Sequence, residues 1–129
     1  MSMQQTVLAD LVTAFNRREF SSAAAQAAEG LLLAEGRDEV FWMGLGDACE
    51  GYRDLMADRD DRAEAHFMAA MQNLRNFGYT YNGFNVTGLL AGLRRCTEEI
   101  RLVRAQHKRV FDITLLPQLK LAQRVEQNV

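Results

Sequence analysis

The stretch Glu39–Asp58, EVFWMGLGDACEGYRDLMAD, constrains the fold more than any other part of the chain. Each residue of a helix advances about 100°, so Val40, Phe41, Trp42 and Met43 point in four directions and make a turn that is apolar on every side. A turn of that kind predicts burial all round. Beyond it Leu45, Ala48, Cys49, Tyr52, Leu55 and Met56 form one wide apolar face, while Gly44, Ala48 and Gly51 leave a smooth strip where a second backbone can approach closely. A glycine within a helix costs about 1 kcal/mol relative to alanine. Three of them in one helix therefore point to tight packing that offsets the loss, and the stretch reads as the central helix of an all-α domain.

The remaining composition agrees. Alanine and leucine together number 33 against 10 valine plus isoleucine, and Pro117 is the only proline, so helix formers dominate and breakers are nearly absent. With 129 residues the chain is one domain able to bury a real core without staples. Its net charge of -2 is unevenly spread: residues 1–93 hold 7 basic and 13 acidic groups, and residues 94–129 hold 8 basic and 4 acidic ones. Cys49 and Cys96 lack a close-spaced partner and read as free, buried thiols of a reduced compartment, with a helix-to-helix disulfide as the alternative. No cleavable leader is apparent and no apolar run approaches the roughly 20 residues that span a bilayer, so a cytoplasmic location is expected.

Helical spacing recurs along the chain. Leu8, Leu11, Val12 and Phe15 define an amphipathic first helix over Met3–Arg18. Ser21 and Ser22 offer a cap for a second, running to about Ala34 with Ala23, Ala24, Ala27, Ala28 and Leu31 inward. Gly36-Arg37-Asp38 separates it from the central helix. The charged turn Asp58–Asp61 opens a fourth helix with Ala63, Phe67, Ala70, Met71, Leu74 and Phe77 buried and Gly78 as its stop. In the aromatic loop that follows, Asn82-Gly83 suits positive φ and Asn85 suits a cap for a fifth helix, Val86 to about Gln106. That helix buries Leu89, Leu90, Leu93, Cys96, Ile100 and Val103, and the pairs Arg94–Glu98 and Arg95–Glu99 look like a solvated face. The expected organisation is a compact bundle of about five helices over residues 1–106, with repeat-like antiparallel helix pairs. Residues 107–129 form an apolar tail around Pro117 that needs a cover, either this domain or a partner subunit.

Two segments are similar to tetratricopeptide helix pairs: Phe20 with Ala23 and Ala27, and Trp42, Leu45 and Gly46 followed by Ala63, Phe67 and Ala70. The second helix of the fuller pair arrives about five residues late for that repeat. Phe15-Asn16, Phe20, Ala23, Gly44-Leu45, Ala63 and the run Tyr81, Gly83, Asn85, Val86 together resemble the motif blocks of the domain of unknown function 309 family, over roughly residues 11–105. The resemblance lies in the apolar frame. Where that family has polar residues, this chain has Ala24, Ala25, Asp47 and Asp58-Arg59. The resemblance therefore implies a helical fold and no particular activity.

No assembled catalytic set, metal centre or cofactor motif is legible. The two histidines, His66 and His107, do not form a ligand pair, and phosphate loops and nucleophile elbows are lacking. Asp47, Glu50 and Asp54 fall within an arc of about 60° on the central helix, which calls for solvent, paired cations or a bound ligand. Arg94, Arg95, Arg101, Arg104, Lys108 and Arg109 could mimic a nucleic-acid stripe, but interleaved Glu98 and Glu99 and the lack of stacking aromatics argue against it. The leading expectation is a non-catalytic helical protein-interaction module, with a protein partner that includes a second copy in a homodimer, acting through the tail residues Phe111, Ile113, Leu115, Leu116 and Leu119 or an exposed helix face. The alternative is a small-ligand-binding protein or enzyme with a pocket between the second, third and fourth helices, lined by Asp47, Tyr52, Asp54 and His66.

Overall fold

The structure, a computed structural model, describes residues 2–122. It is an all-α bundle of five helices: α1 (Met3–Asn16), α2 (Phe20–Leu33), α3 (Arg37–Met56), α4 (Asp60–Leu74) and α5 (Val86–Arg104). A two-residue hairpin, β1 (Thr80–Tyr81) against β2 (Phe84–Asn85), sits between α4 and α5. A 3-10 turn at Ile113–Leu115 and an extended segment follow. Neighbours in sequence are neighbours in space, with α1 on α2, α2 on α3 and α3 on α4.

The glycine strip of α3 faces α4 as its spacing predicts. A Cβ at Gly44 would lie 2.6 Å from Leu74, and one at Gly51 would lie 2.6 Å from the Phe67 ring and 3.2 Å from His66 Cβ. Aromatic rings fill the centre: Tyr52 meets Phe15 edge-on at 5.2 Å, stacks on Phe20 at 5.6 Å and tilts against Phe67 at 4.6 Å. Such contacts add to the burial of large apolar surface.

At the start of α3, Phe41 and Trp42 are buried, but Val40 is 40 % and Met43 48 % exposed, and Met56 at the far end is also half exposed. The expected all-round burial of that turn is not met, because α2 and α4 cover two sides of α3 and leave a third bare. Nor does Leu31 point inward. Gly30 occupies the inner position instead, with its Cα so close to Trp42 that an added Cβ would lie 2.3 Å from the indole. The ring claims the space, and both Leu31 and Ala28 are turned outward.

Helix boundaries differ from expectation where backbone turns replace side-chain caps. Positive φ at Arg18 ends α1 two residues early, Glu19 N–H returns to Ala14 O, and Phe20 rather than a serine opens α2, with its ring 5.1 Å from Phe15. The serines make no cap. A similar turn at Asp58, φ 60°, brings Arg59 N–H back to Asp54 O, and α4 begins at Asp60 without a side-chain cap. Gln106, φ 63°, closes α5 after Arg104. Asn82 and Gly83 take the positive φ expected of them, and Asn85 Oδ1 accepts the Gly88 N–H at 2.8 Å to cap α5.

Glu99 departs furthest from the sequence reading. It is not on a solvated face with Arg95 but is 3 % exposed, where its carboxylate accepts from Lys108 Nζ at 3.0 and 3.2 Å and from the Asp112 N–H at 2.9 Å. Those partners lie past the end of α5. A buried carboxylate is tolerated when it is paired and hydrogen-bonded, and here it ties the start of the tail to the helix the tail has just left.

Candidate functional site

The bare side of α3 forms one wall of a groove, and α2 forms the other. Ala24, Ala27, Ala28 and Gly46 keep its floor shallow, Leu31 and Met43 stand at one end, and Asp47 and Glu50 edge it, around a volume of about 290 Å³. Val40, one turn before Met43 and 40 % exposed, extends the same apolar end. The small residues have a structural cause: α2 lies close to α3 because it presents alanines and Gly30 to it, and the shortness of those side chains leaves a trough.

Asp47 also belongs to a polar seam between α3 and α4. His66 Nδ1 lies 3.1 Å from Asp47 Oδ1, and His66 Nε2 lies 3.7 Å from Oδ2 of the buried Asp54. Arg59 Nε donates to Asp54 Oδ1 at 2.9 Å, and Asn73 Nδ2 donates to Asp47 Oδ2 at 3.4 Å. Three of the four residues singled out for a ligand site, Asp47, Asp54 and His66, thus meet. Seven-residue spacing puts both carboxylates on the face of α3 that looks toward α4, and His66 sits at the matching height there. Glu50 instead pairs with Arg53.

Tyr52 lies elsewhere. It points into the core, where its hydroxyl donates to Cys96 Sγ at 3.4 Å. Burial, and next the Cys96 thiol, push its ionisation well above the ordinary phenol range. Burial likewise pushes both thiols up, which suits cysteines acting as core residues. Among the described residues no group of three or more His, Cys, Asp or Glu is placed to hold a metal ion.

The basic end of α5 is largely spoken for within the chain. Arg101 Nε donates to Glu64 at 2.9 Å, and Arg104 donates to Glu64 at 2.7 Å and to Asp61 at 2.8 Å. Hydrogen bonds from Arg104 and then Arg101 hold the Glu64 carboxyl below the usual carboxylate range. Asp61 and Glu64 of α4 therefore neutralise two of the six cations of the stripe, and Glu99 pairs with a third, Lys108.

The tail residues divide in two. Leu116 and Leu119 are each 5 % exposed, and Phe111, Leu115 and Leu121 lean on the same core. The cover that sequence could not assign is, for these leucines, their own domain. Ile113 is 56 % exposed and, with Phe111, Val110, Leu55 and Met56, edges a second cleft of about 320 Å³ beside Asp58, Asp60 and Arg109. Sequence reasoning missed the side chains that seat the tail, Asn16, Arg18 and Glu99. Each reads locally as a helix-end or surface polar residue, and only the fold brings the tail within reach.

No helix of the described residues is long and apolar enough to cross a membrane. Comparison with protein-family models, curated proteins and solved structures finds no match, so the geometry stands as the source of any functional reading.

Proposed function

We propose that this chain is a non-catalytic helical protein-interaction module that receives a cationic amphipathic helix in the groove between α2 and α3. The observation that carries the reading is the exposure of Leu31, Val40 and Met43 at one end of a trough floored by alanines and glycine. Contiguous apolar surface of this kind, edged by polar groups, is characteristic of docking sites. Charge supports the sign of the partner: residues 20–56 contain seven acidic groups against two basic ones, and Asp47 and Glu50 edge the groove itself. A helix with leucines at i, i+3, i+4 and i+7 and flanking lysines would place apolar side chains on the floor and cations at the rim.

A synthetic helix of that pattern, titrated into the full chain and followed by amide chemical shifts, tests the proposal. Saturable shifts confined to Ala24–Leu31 and Trp42–Glu50, abolished by Leu31→Asp with Met43→Asp, are the expected result. Scattered shifts, or none by about 1 mM peptide, the weak end of useful affinity, overturn it.

A second reading, a small ligand held at the seam, is favoured by the convergence of Asp47, Asp54 and His66 beside the groove. Its mark would be thermal stabilisation by one metabolite that Asp47→Asn removes. The same shift in the Asp47→Asn variant, or no stabilising compound, counts against it.

A further inference from the structure

Residues 116–122 meet the rest of the chain chiefly through their backbone. Asn16 holds Leu119 from both directions, its Nδ2 donating to the Leu119 carbonyl at 2.9 Å and its Oδ1 accepting the Leu119 N–H at 2.7 Å. Arg18 donates from its two terminal nitrogens to the carbonyls of Pro117, at 2.8 Å, and Leu116, at 3.2 Å. At the hairpin, Asn85 N–H donates to Lys120 O at 2.9 Å and Ala122 N–H donates to Gly83 O at 2.8 Å, so Leu121 bridges antiparallel to Phe84 as an added strand. Side chains supply the fit: Leu116 and Leu119 are buried, and Pro117 rests on Gly92, where a Cβ would lie 2.6 Å from the proline ring. Main-chain hydrogen bonds with pockets for a few side chains are how proteins recognise an extended peptide.

We propose that the groove between the end of α1, α5 and the hairpin is a receptor for an extended leucine-proline segment, that residues 116–122 are its resident ligand, and that the same segment of a second copy is the partner it accepts. The second copy is the occupant because its segment already satisfies every contact. The exposed residues 105–107, between the end of α5 and Lys108, supply a hinge. Lys108 and Asp112 move with the tail to the Glu99 of the other chain, so a two-fold exchange remakes between copies each contact it breaks within one. These residues are separate from the α2–α3 groove, and either reading can fail without the other.

Engineered cysteines make the exchange visible. A Cβ at Gly83 would lie 3.7 Å from Ala122 Cβ, within the range a disulfide spans; any side chain at the Gly83 φ of 78° is strained, so the Tm of each Gly83→Cys chain is compared with the parent to show that it still folds, and Cys49 and Cys96 are buried. A full chain carrying both Gly83→Cys and Ala122→Cys is expected to close on itself when dilute. Chains carrying Gly83→Cys alone, mixed with chains carrying Ala122→Cys alone and then oxidised, are expected to yield a linked dimer whose fraction rises with protein concentration and exceeds that of either variant by itself. Light scattering on the unmodified chain is expected to show a dimer over the same concentration range. The proposal is overturned if the double-cysteine chain closes while the mixture stays monomeric at every concentration. It is equally overturned if mixed dimers are no more abundant than those of the single variants, or if the double-cysteine chain does not close.

Discussion

Two glycine-to-alanine changes in helices are expected to move stability in opposite directions. At Gly46, inside α3, the nearest atom to an added Cβ is Ala27 Cβ at 3.6 Å, an ordinary contact. Alanine there gains helix propensity without strain, and about 0.5–1 kcal/mol of stabilisation is expected. At Gly30 the same methyl would lie 2.3–2.5 Å from three carbons of the Trp42 ring. The indole has little room to retreat: it is 1 % exposed, and its Nε1–H donates to Gln4 Oε1 at 2.8 Å. Overpacking of this sort costs about 1–3 kcal/mol, which exceeds a propensity gain of at most about 1 kcal/mol. Gly30→Ala is therefore expected to lose about 1–2 kcal/mol, or roughly 3–8 °C in Tm for a domain of this size. Thermal and urea unfolding of both variants beside the parent chain measures the difference. Stabilisation by Gly30→Ala comparable to that of Gly46→Ala would refute the claim that the Trp42 ring sets the spacing of α2 and α3.

Asn16→Ala leaves the Leu119 N–H and carbonyl without their partners, and a loss of about 1–3 kcal/mol is expected, with faster amide exchange at Asn85, Leu119 and Ala122 than in the parent. Unchanged exchange there would show that the amide clamp does not hold the tail. For Glu64, the arginines depress the folded-state pKa below the unfolded value near 4.5, so its contribution to stability is present above that value and disappears as pH falls through the folded pKa. Glu64→Gln should thus reduce the loss of urea resistance on acidification below pH 4.5, and an identical acid limb would count against the pairing. Both thiols are buried and raised in pKa, so a thiol reagent such as dithionitrobenzoate should label neither cysteine in the native chain and both in urea; rapid native labelling would contradict the burial.

What sequence could anticipate were features determined within one helix or one turn. The Gly44–Gly51 strip, the Asn82-Gly83 turn and the Asn85 cap each follow from spacing or local backbone preference, and each is present. Errors arose where a second element decides. Leu31 lies on the same helical stripe as Ala27, yet the width of Trp42 on another helix gives the inner place to Gly30. Arg95 and Glu99 have the four-residue spacing of a surface pair, but Glu99 is claimed by groups nine and thirteen residues further on. Of the predicted ligand residues, Asp47 and Asp54 share a face by periodicity and Tyr52 lies about 140° round the helix from Asp47, which separates it from them. That His66 would arrive opposite the two aspartates depends on the register of α3 against α4, which no single helix encodes.

The clamp at Asn16 also bears on how the molecule is completed during synthesis. Residues 16 and 119 are 103 positions apart, whereas the helices stack against their sequence neighbours. Local stacking of that kind is fast, and a contact of such high separation must wait. A nascent chain can therefore assemble α1 through α5 with the hairpin while the groove for the tail stands open, with polar atoms of Asn16 and Arg18 facing water. Translation at about 5–20 residues per second keeps it open for seconds after α1 emerges. If the exchange proposed above takes place, that interval is when a neighbouring copy can supply the missing strand.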